Sequence, residues 1–296
     1  MAWALGSIVR FTAYHADRAA AERALDAVLV ELDTIEDVMS LYREESQLRQ
    51  LNRNGRLKHA DSRLLDVLHA AHRMSRRSDG AFDITVQPLW EVFRESQEAG
   101  RLPSDQRIER ALSTVDYRKV VWDDGTVRLR GGATRITLNG IAQGYALDRT
   151  RKILESAGVH HALLDTGEIG TAGVRPGGRD WHIGIQHPRQ GDAFAGIVPL
   201  DGRCLATSGD YATRFSADFS AHHIFDPRTG RSPREIASVS VLAPSGILAD
   251  ALSTALCVLG AEEGRALLQA FPKCDAFFVL KDGRSVRTPR FPLERA

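Results

Sequence analysis

Asp250-Ala251-Leu252-Ser253-Thr254 places a carboxylate and two hydroxyls at positions i, i+3 and i+4 of a run with helical character, so the three converge within one turn. These are hard oxygen donors, which magnesium takes in small number beside waters and substrate phosphates. The plainer reading is that Asp250 caps its own helix while Ser253 closes a local hydrogen bond. A second group, His222-His223-Ile224-Phe225-Asp226-Pro227-Arg228-Thr229-Gly230, sets two histidines on a short strand before a Pro-containing turn. Strand alternation turns only one histidine toward a given side. That makes a poor two-histidine metal site, but it leaves one imidazole as a general base near neutral pH. A structural turn with polar decoration is the other reading.

Arg135-Ile-Thr-Leu-Asn-Gly-Ile-Ala-Gln-Gly-Tyr-Ala-Leu-Asp148 breaks from a β-type run on Asn139-Gly140 directly into a helix-type run. Such a turn aims backbone N–H groups and the positive end of a helix dipole at whatever lies above it, and phosphate suits that position. The glycine spacing is not the dinucleotide fingerprint, and an ordinary strand-to-helix connection reads the same way. Asp165-Thr166-Gly167 occurs once, whereas aspartic-protease chemistry needs two carboxylates sharing a proton. Ser208 lacks the Gly-x-Ser-x-Gly elbow of a serine hydrolase.

The elements that must position these groups follow from periodicity and turn chemistry. A strand is expected over Ser7 to Ala13 and a long amphipathic helix over 17–42, where Leu25, Val28, Leu29, Leu32, Ile35 and Met39 recur at helical spacing. Further helices are expected over Ser62 to Arg76 and Ile108 to Leu112, the second capped by Ser104. Lys119 to Trp122 and Thr126 to Arg130 flank Asp123-Asp124-Gly125 as a hairpin. The helix after Gly140 runs to Ala157, and His161 to Leu164 returns as a strand. Asp201-Gly202 marks a hairpin between Ile197 to Leu200 and Arg203 to Ala206. Ala237 to Leu242 is a strand, Ile247 to Leu259 a helix ended by Gly260, and Ala276 to Leu280 a strand before the Asp282-Gly283 hairpin. Helices and antiparallel hairpins interleave without regular βαβ alternation, which predicts an α+β fold: one large mixed domain over 1–296 with largely antiparallel sheets.

Composition narrows the class. A chain of 296 residues with 43% hydrophobic content buries a full core, and a net charge of +1 without clusters gives no footprint for nucleic acid. No run reaches the roughly 18 apolar residues of a membrane span. Cys204, Cys257 and Cys274 are far apart in apolar surroundings, so they read as buried bystanders rather than a disulfide framework or zinc site.

In order along the chain stand Met39-Ser40-Leu41-Tyr42 with Ser46 and Asn52, Gly80-Ala81-Phe82-Asp83, Leu138-Asn139-Gly140-Ile141-Ala142-Gln143-Gly144-Tyr145, Thr207-Ser208-Gly209-Asp210-Tyr211, His223 to Gly230, and Ala249-Asp250-Ala251-Leu252-Ser253-Thr254-Ala255. Together, from about Leu5 to Gly260, they resemble the ApbE family of FAD:protein FMN transferases, with residues 261–296 adding a helix and a hairpin.

The resemblance implies an enzyme that uses Mg²⁺ to cleave FAD and transfers FMN, through its phosphate, to a threonine of an acceptor protein, releasing AMP. It implies Mg²⁺ ligation by the Gly140 carbonyl and the side chains of Asp250, Ser253 and Thr254. It implies FAD contacts at Leu5, Tyr42, Ala81, Phe82, Asp83, Thr137, Gln143 and Ile224, and it makes His223 the base for the acceptor threonine. Three positions depart from the family pattern: Thr137 stands in place of Asp, Gln143 in place of Lys, and Asp165-Thr166-Gly167-Glu168 in place of Asn-x-Gly-Gly. A magnesium-dependent FAD pyrophosphatase yielding FMN and AMP, and an FAD-binding protein without turnover, are the alternatives. Export is implied by the resemblance and the cytoplasm by the absence of a signal segment, so the compartment stays open.

Overall fold

The structure, a computed structural model, describes residues 1–294, and the last two residues of the expected 261–296 segment lie outside the described residues. A hairpin of β1 (Ala2–Ala4) and β2 (Ser7–Tyr14) opens the chain. It is followed by α1 (Arg18–Met39), α2 (Gln47–Asn54), β3 (Arg56–Leu57), α3 (Ser62–Arg77), α4 (Gln87–Glu98) and α5 (Asp105–Leu112). Next come β4 (Val120–Asp123), β5 (Thr126–Leu129), α6 (Ala142–Ser156), β6 (His161–Asp165), β7 (Ile169–Ala172), β8 (Trp181–Gln186), β9 (Phe194–Leu200) and β10 (Cys204–Gly209). The remaining elements are β11 (Ile236–Ala243), α7 (Gly246–Leu268), β12 (Asp275–Leu280) and β13 (Ser285–Arg287).

The centre is an antiparallel sheet ordered β1-β2-β6-β7-β10-β11-β12-β13. Alternate residues feed two cores, as strand geometry requires. Val239, Val241 and Phe278 pack with apolar residues of α1, α3, α6 and α7, whereas Leu242, Phe277 and Val279 pack under the β8–β9 hairpin and Phe291. Every residue of β11 and β12 is buried in consequence. A third cluster joins Leu89 and Phe93 of α4 to Ile108 and to Phe215 and Phe225 of the 210–235 loop, with the Phe93 and Phe225 rings 5.0 Å apart. That aromatic contact anchors the loop that carries His223. The mixed α+β expectation holds, with every strand pair antiparallel.

Local expectations fail where tertiary contacts outbid local pattern. Residues 135–138 are not a strand. The Asn52 side chain takes both backbone groups of Ile136, at 2.8 Å each, and Thr137 N–H donates to the Ile84 carbonyl, so side-chain and loop partners replace a sheet neighbour. Asp201-Gly202 does not close a hairpin: β9 pairs with β8, while β10 enters the central sheet between β7 and β11, with Cys204, Leu205 and Ala206 buried. The 17–42 helix stops at Met39 and leaves Tyr42 in a loop. Ser104 occupies the N-cap of α5 but gives no side-chain bond; its carbonyl alone accepts, from Arg107 and Ile108. His222 and His223 lie in a loop held by two isolated bridges, Arg214 to His222 and Asp226 to Arg231, rather than on a strand. By contrast, the expected stop at Gly260 holds: that glycine, at φ 80°, breaks α7 into two helical stretches, the second reaching Leu268.

Candidate active site

Helices α6 and α7 meet through their N-terminal turns. Gly144 and Gly246 let them touch backbone to backbone: a Cβ on Gly144 would stand 2.2 Å from the Gly246 carbonyl oxygen, and one on Gly246 would stand 2.4 Å from that of Gly144. Each helix then supplies a carboxylate to the other's free N–H groups. Asp148 of α6 accepts from Gly246 and Ile247 N–H at 2.7 and 3.0 Å. Asp250 of α7 accepts through Oδ2 from Gly144 N–H at 2.9 Å. Asp250 therefore caps α6 rather than its own helix, whose N-cap is Ser245.

Around Asp250 lies a cluster of hydroxyls. Ser208 Oγ is 2.8 Å from Ser253 Oγ and 3.3 Å from Thr254 Oγ1, and Ser253 Oγ donates to the Asp250 backbone carbonyl. Gly140 packs directly on Thr254, since a Cβ there would fall 2.8 Å from Thr254 Oγ1. Glu168, in the β6–β7 turn, is 8% exposed and accepts from Thr207 N–H at 3.2 Å. Burial pushes the Asp250 carboxyl up to about 7. Burial, then the nearby charge of Asp250, holds Glu168 well above the usual carboxylate range.

His223 faces this group across a cleft of ≈ 230 Å³. Its Nδ1 lies 3.1 Å from the Thr213 carbonyl, which assigns the proton to Nδ1 and leaves Nε2 as an open acceptor. Burial holds its pKa below the ordinary imidazole range, so the ring is neutral at pH 7. His222 points into the protein, fully buried, with Nε2 on the Pro233 carbonyl, and burial takes its pKa down to about 4. Only one of the two histidines is available to a ligand. Asp226 holds the following turn by accepting from Arg228 N–H and its guanidinium.

The sequence-predicted residues divide between two adjoining recesses. Ala81, Phe82, Asp83, Thr137, Gly140, Gln143, His223, Ile224, Asp250 and Thr254 line the first; Leu5, Tyr42 and Gln143 line a second of ≈ 430 Å³. Asn139 and Gln143 border both. Ser253 does not line either recess; it is buried behind Ser208, which does. The Asp83 carboxylate accepts three bonds of 2.6–2.8 Å from Thr85 and Tyr117, which fix its loop beside the recess. Thr137 Oγ1 accepts from Asn139 N–H at 3.3 Å. Tyr42 is 69% exposed and free to stack on a planar ring.

Among the described residues, none lining the first recess is Lys or Arg, and no three His, Cys, Asp or Glu side chains form a metal-type group. The donors that do converge are two carboxylates and the hydroxyls of Ser208 and Thr254, beside Gly140. This all-oxygen set suits a magnesium-type ion. The two recesses join at Asn139 and Gln143 into one elongated space. Glu168, Ser208 and Asn139 were not among the residues expected from sequence. Ser208 and Asn139 sit in two of the ordered motifs, and Glu168 in a stretch that departs from the family pattern.

The sequence model of the ApbE family matches residues 5–278, past Gly260 and into β12. The FAD:protein FMN transferase of Treponema pallidum is 31% identical over 303 residues, covering 95% of this chain and 83% of that protein. The crystal structure of the ApbE protein of Thermotoga maritima superposes with a TM-score of 0.88 at 32% identity, covering 97% of this chain and 96% of that one. The flavinyl transferase ApbE of Pseudomonas stutzeri gives a TM-score of 0.84 at 31% identity, covering 97% and 92%.

Proposed function

The chain belongs to the ApbE family, and on that footing we propose that it is a magnesium-dependent transferase that cleaves FAD and carries FMN to a threonine hydroxyl of an acceptor protein, releasing AMP. Flavin transfer to protein is the activity for which its relative in Treponema pallidum is named. The observation that carries the reading is the cleft itself, where open carboxylate and hydroxyl oxygens face an uncharged imidazole and no side-chain cation is present.

Asp250, Thr254 and the Gly140 carbonyl are the groups that would hold Mg²⁺, with Ser253 supporting them through Ser208. Bound there, the ion supplies the positive charge that a pyrophosphate needs and the side chains of this cleft lack. The turn at Asn139-Gly140 leads into α6, whose dipole favours the same anionic group. Leu5 and Tyr42 in the second recess hold the aromatic end of FAD, and Gln143 and Asn139 span the junction. His223 Nε2 accepts the proton of the acceptor hydroxyl as its oxygen bonds to the FMN phosphorus. The bond from that phosphorus to the bridging oxygen breaks, and AMP leaves with that oxygen. The Thr213 carbonyl keeps the ring in the required tautomer and stabilises the imidazolium that forms.

Chromatography of AMP release tests the reading. With FAD and Mg²⁺, AMP is expected to form only when a threonine-bearing flavin-acceptor domain is present. Equal AMP with and without the acceptor would make the chain a pyrophosphatase, and no AMP in either case would leave a binding protein.

A further inference from the structure

We propose that Glu168 is a second carboxylate ligand of the divalent cation, so that the seat of the ion is the pair Glu168 and Asp250 rather than Asp250 alone. The inference rests on the metal site assigned above and extends it to a residue that the resemblance marks only as part of a departure from the family pattern.

The reason lies in how the protein treats its buried acids. Glu31 is paired with Arg63 and Arg149, Asp210 with Arg189 and Lys281, and Asp275 with Arg203. Asp83 has no cation but accepts three short hydrogen bonds. Glu168 and Asp250 are equally buried, at 8% and 3% exposure, yet each receives one backbone N–H and neither forms an ion pair among the described residues. Each therefore keeps one carboxylate oxygen without a donor, and both residues line the same cleft. A buried carboxylate normally has a partner cation or a metal. Two such groups, with two open oxygens, match the charge and donor preference of one divalent ion.

The surrounding backbone is arranged to present Glu168. Gly167 holds the turn at φ 101° with its Cα against the Gln143 amide, where a Cβ would lie 2.4 Å from Nε2. Gln143 is neutral, so it does not discharge the carboxylate beside it. Thr207, which anchors Oε2, directly precedes Ser208 of the hydroxyl cluster, and Glu168 lines the cleft together with Ser208 and Thr254.

Titration of Mn²⁺, a hard-oxygen stand-in for Mg²⁺, followed by loss of the free-ion EPR signal, tests this on the full chain without FAD or acceptor. Glu168→Gln keeps the shape and the acceptor for Thr207 N–H while removing the charge. It is expected to weaken Mn²⁺ binding by about tenfold or more, and its melting temperature in EDTA is expected to equal or exceed that of the unmodified chain. A purely structural Glu168 would instead lower that temperature. Glu168→Asp, which shortens the reach, is expected to lose Mn²⁺ affinity with an unchanged circular dichroism spectrum. Unaltered Mn²⁺ affinity in Glu168→Gln overturns the inference, as does an unmodified chain that binds no Mn²⁺. Glu168-dependent Mn²⁺ binding in a chain that fails to label an acceptor would count against the transferase reading alone.

Discussion

The backbone N–H of Gly144 donates to Oδ2 of Asp250 across 2.9 Å, and this one bond joins the frame of the fold to its chemistry. It satisfies a donor at the start of α6 and fixes the carboxylate against that helix at the wall of the cleft, with Oδ1 left outside this bond. The companion contacts from Gly246 and Ile247 to Asp148 hold α7 in the same register.

Asp250→Asn keeps an acceptor for Gly144 but removes the charge. Magnesium-dependent AMP release is expected to fall by about 10²-fold or more, because neutralisation of developing charge is the main catalytic term in phosphoryl transfer. FAD binding, read by flavin fluorescence, is expected to persist. Undiminished turnover would remove Asp250 from the metal site.

Asp250 also gives the fold a pH signature. Its folded-state pKa is raised to about 7, above the usual carboxylate range, so its contribution to stability is fully present below that range and is lost as pH rises through about 7. In EDTA, the melting temperature of the unmodified chain relative to Asp250→Asn is expected to fall from pH 5 to pH 8, and Mg²⁺ is expected to reverse the fall. Parallel curves for the two proteins would contradict the assignment.

His223→Ala is expected to cut transfer by about 10²–10⁴-fold, the usual span for a general base, while the FAD dissociation constant changes little. Comparison of transfer rate with flavin fluorescence titration separates the two effects. Equal losses in both would make His223 a binding residue.

Gly144→Ala tests the helix contact. The new methyl group would meet the Gly246 backbone, which has no side chain to rotate away. Overpacking of this kind costs about 1–3 kcal/mol and at times more, so a denaturant melt is expected to show a loss at the upper end. A neutral result would mean that α6 and α7 separate freely.

Tyr42→Ala is expected to weaken FAD binding by about 2- to 12-fold, the equivalent of the roughly 0.5–1.5 kcal/mol that aromatic pairs add beyond burial. The rate at saturating FAD should stay near that of the unmodified chain. A loss confined to the rate would place the ring elsewhere in the reaction.

What the sequence disclosed depended on the range of the interaction. The amphipathic pattern of α1, the end of α6 near Ala157 and the Asp282-Gly283 hairpin are local, and they were readable. The spacing of Asp250 and Thr254 on one turn also predicted their common face, because helix geometry alone sets it. What a side chain meets across the fold was not readable. Ile136 looks like a strand residue, and it is Asn52, far away in sequence, that takes the place of a neighbouring strand. Ser253 shares the helix face with Asp250 but turns inward to Ser208. Glu168 was visible only as part of a departure from the family pattern, and its isolation from cations emerges only once β6, β7 and β10 are assembled.

The most direct measurement is the intact mass of a threonine-bearing flavin-acceptor domain after incubation with this chain, FAD and Mg²⁺. The account predicts a gain equal to FMN less one water, absent when the threonine is replaced by alanine or when EDTA is added. An acceptor of unchanged mass, with FAD bound and Mg²⁺ present, would contradict it.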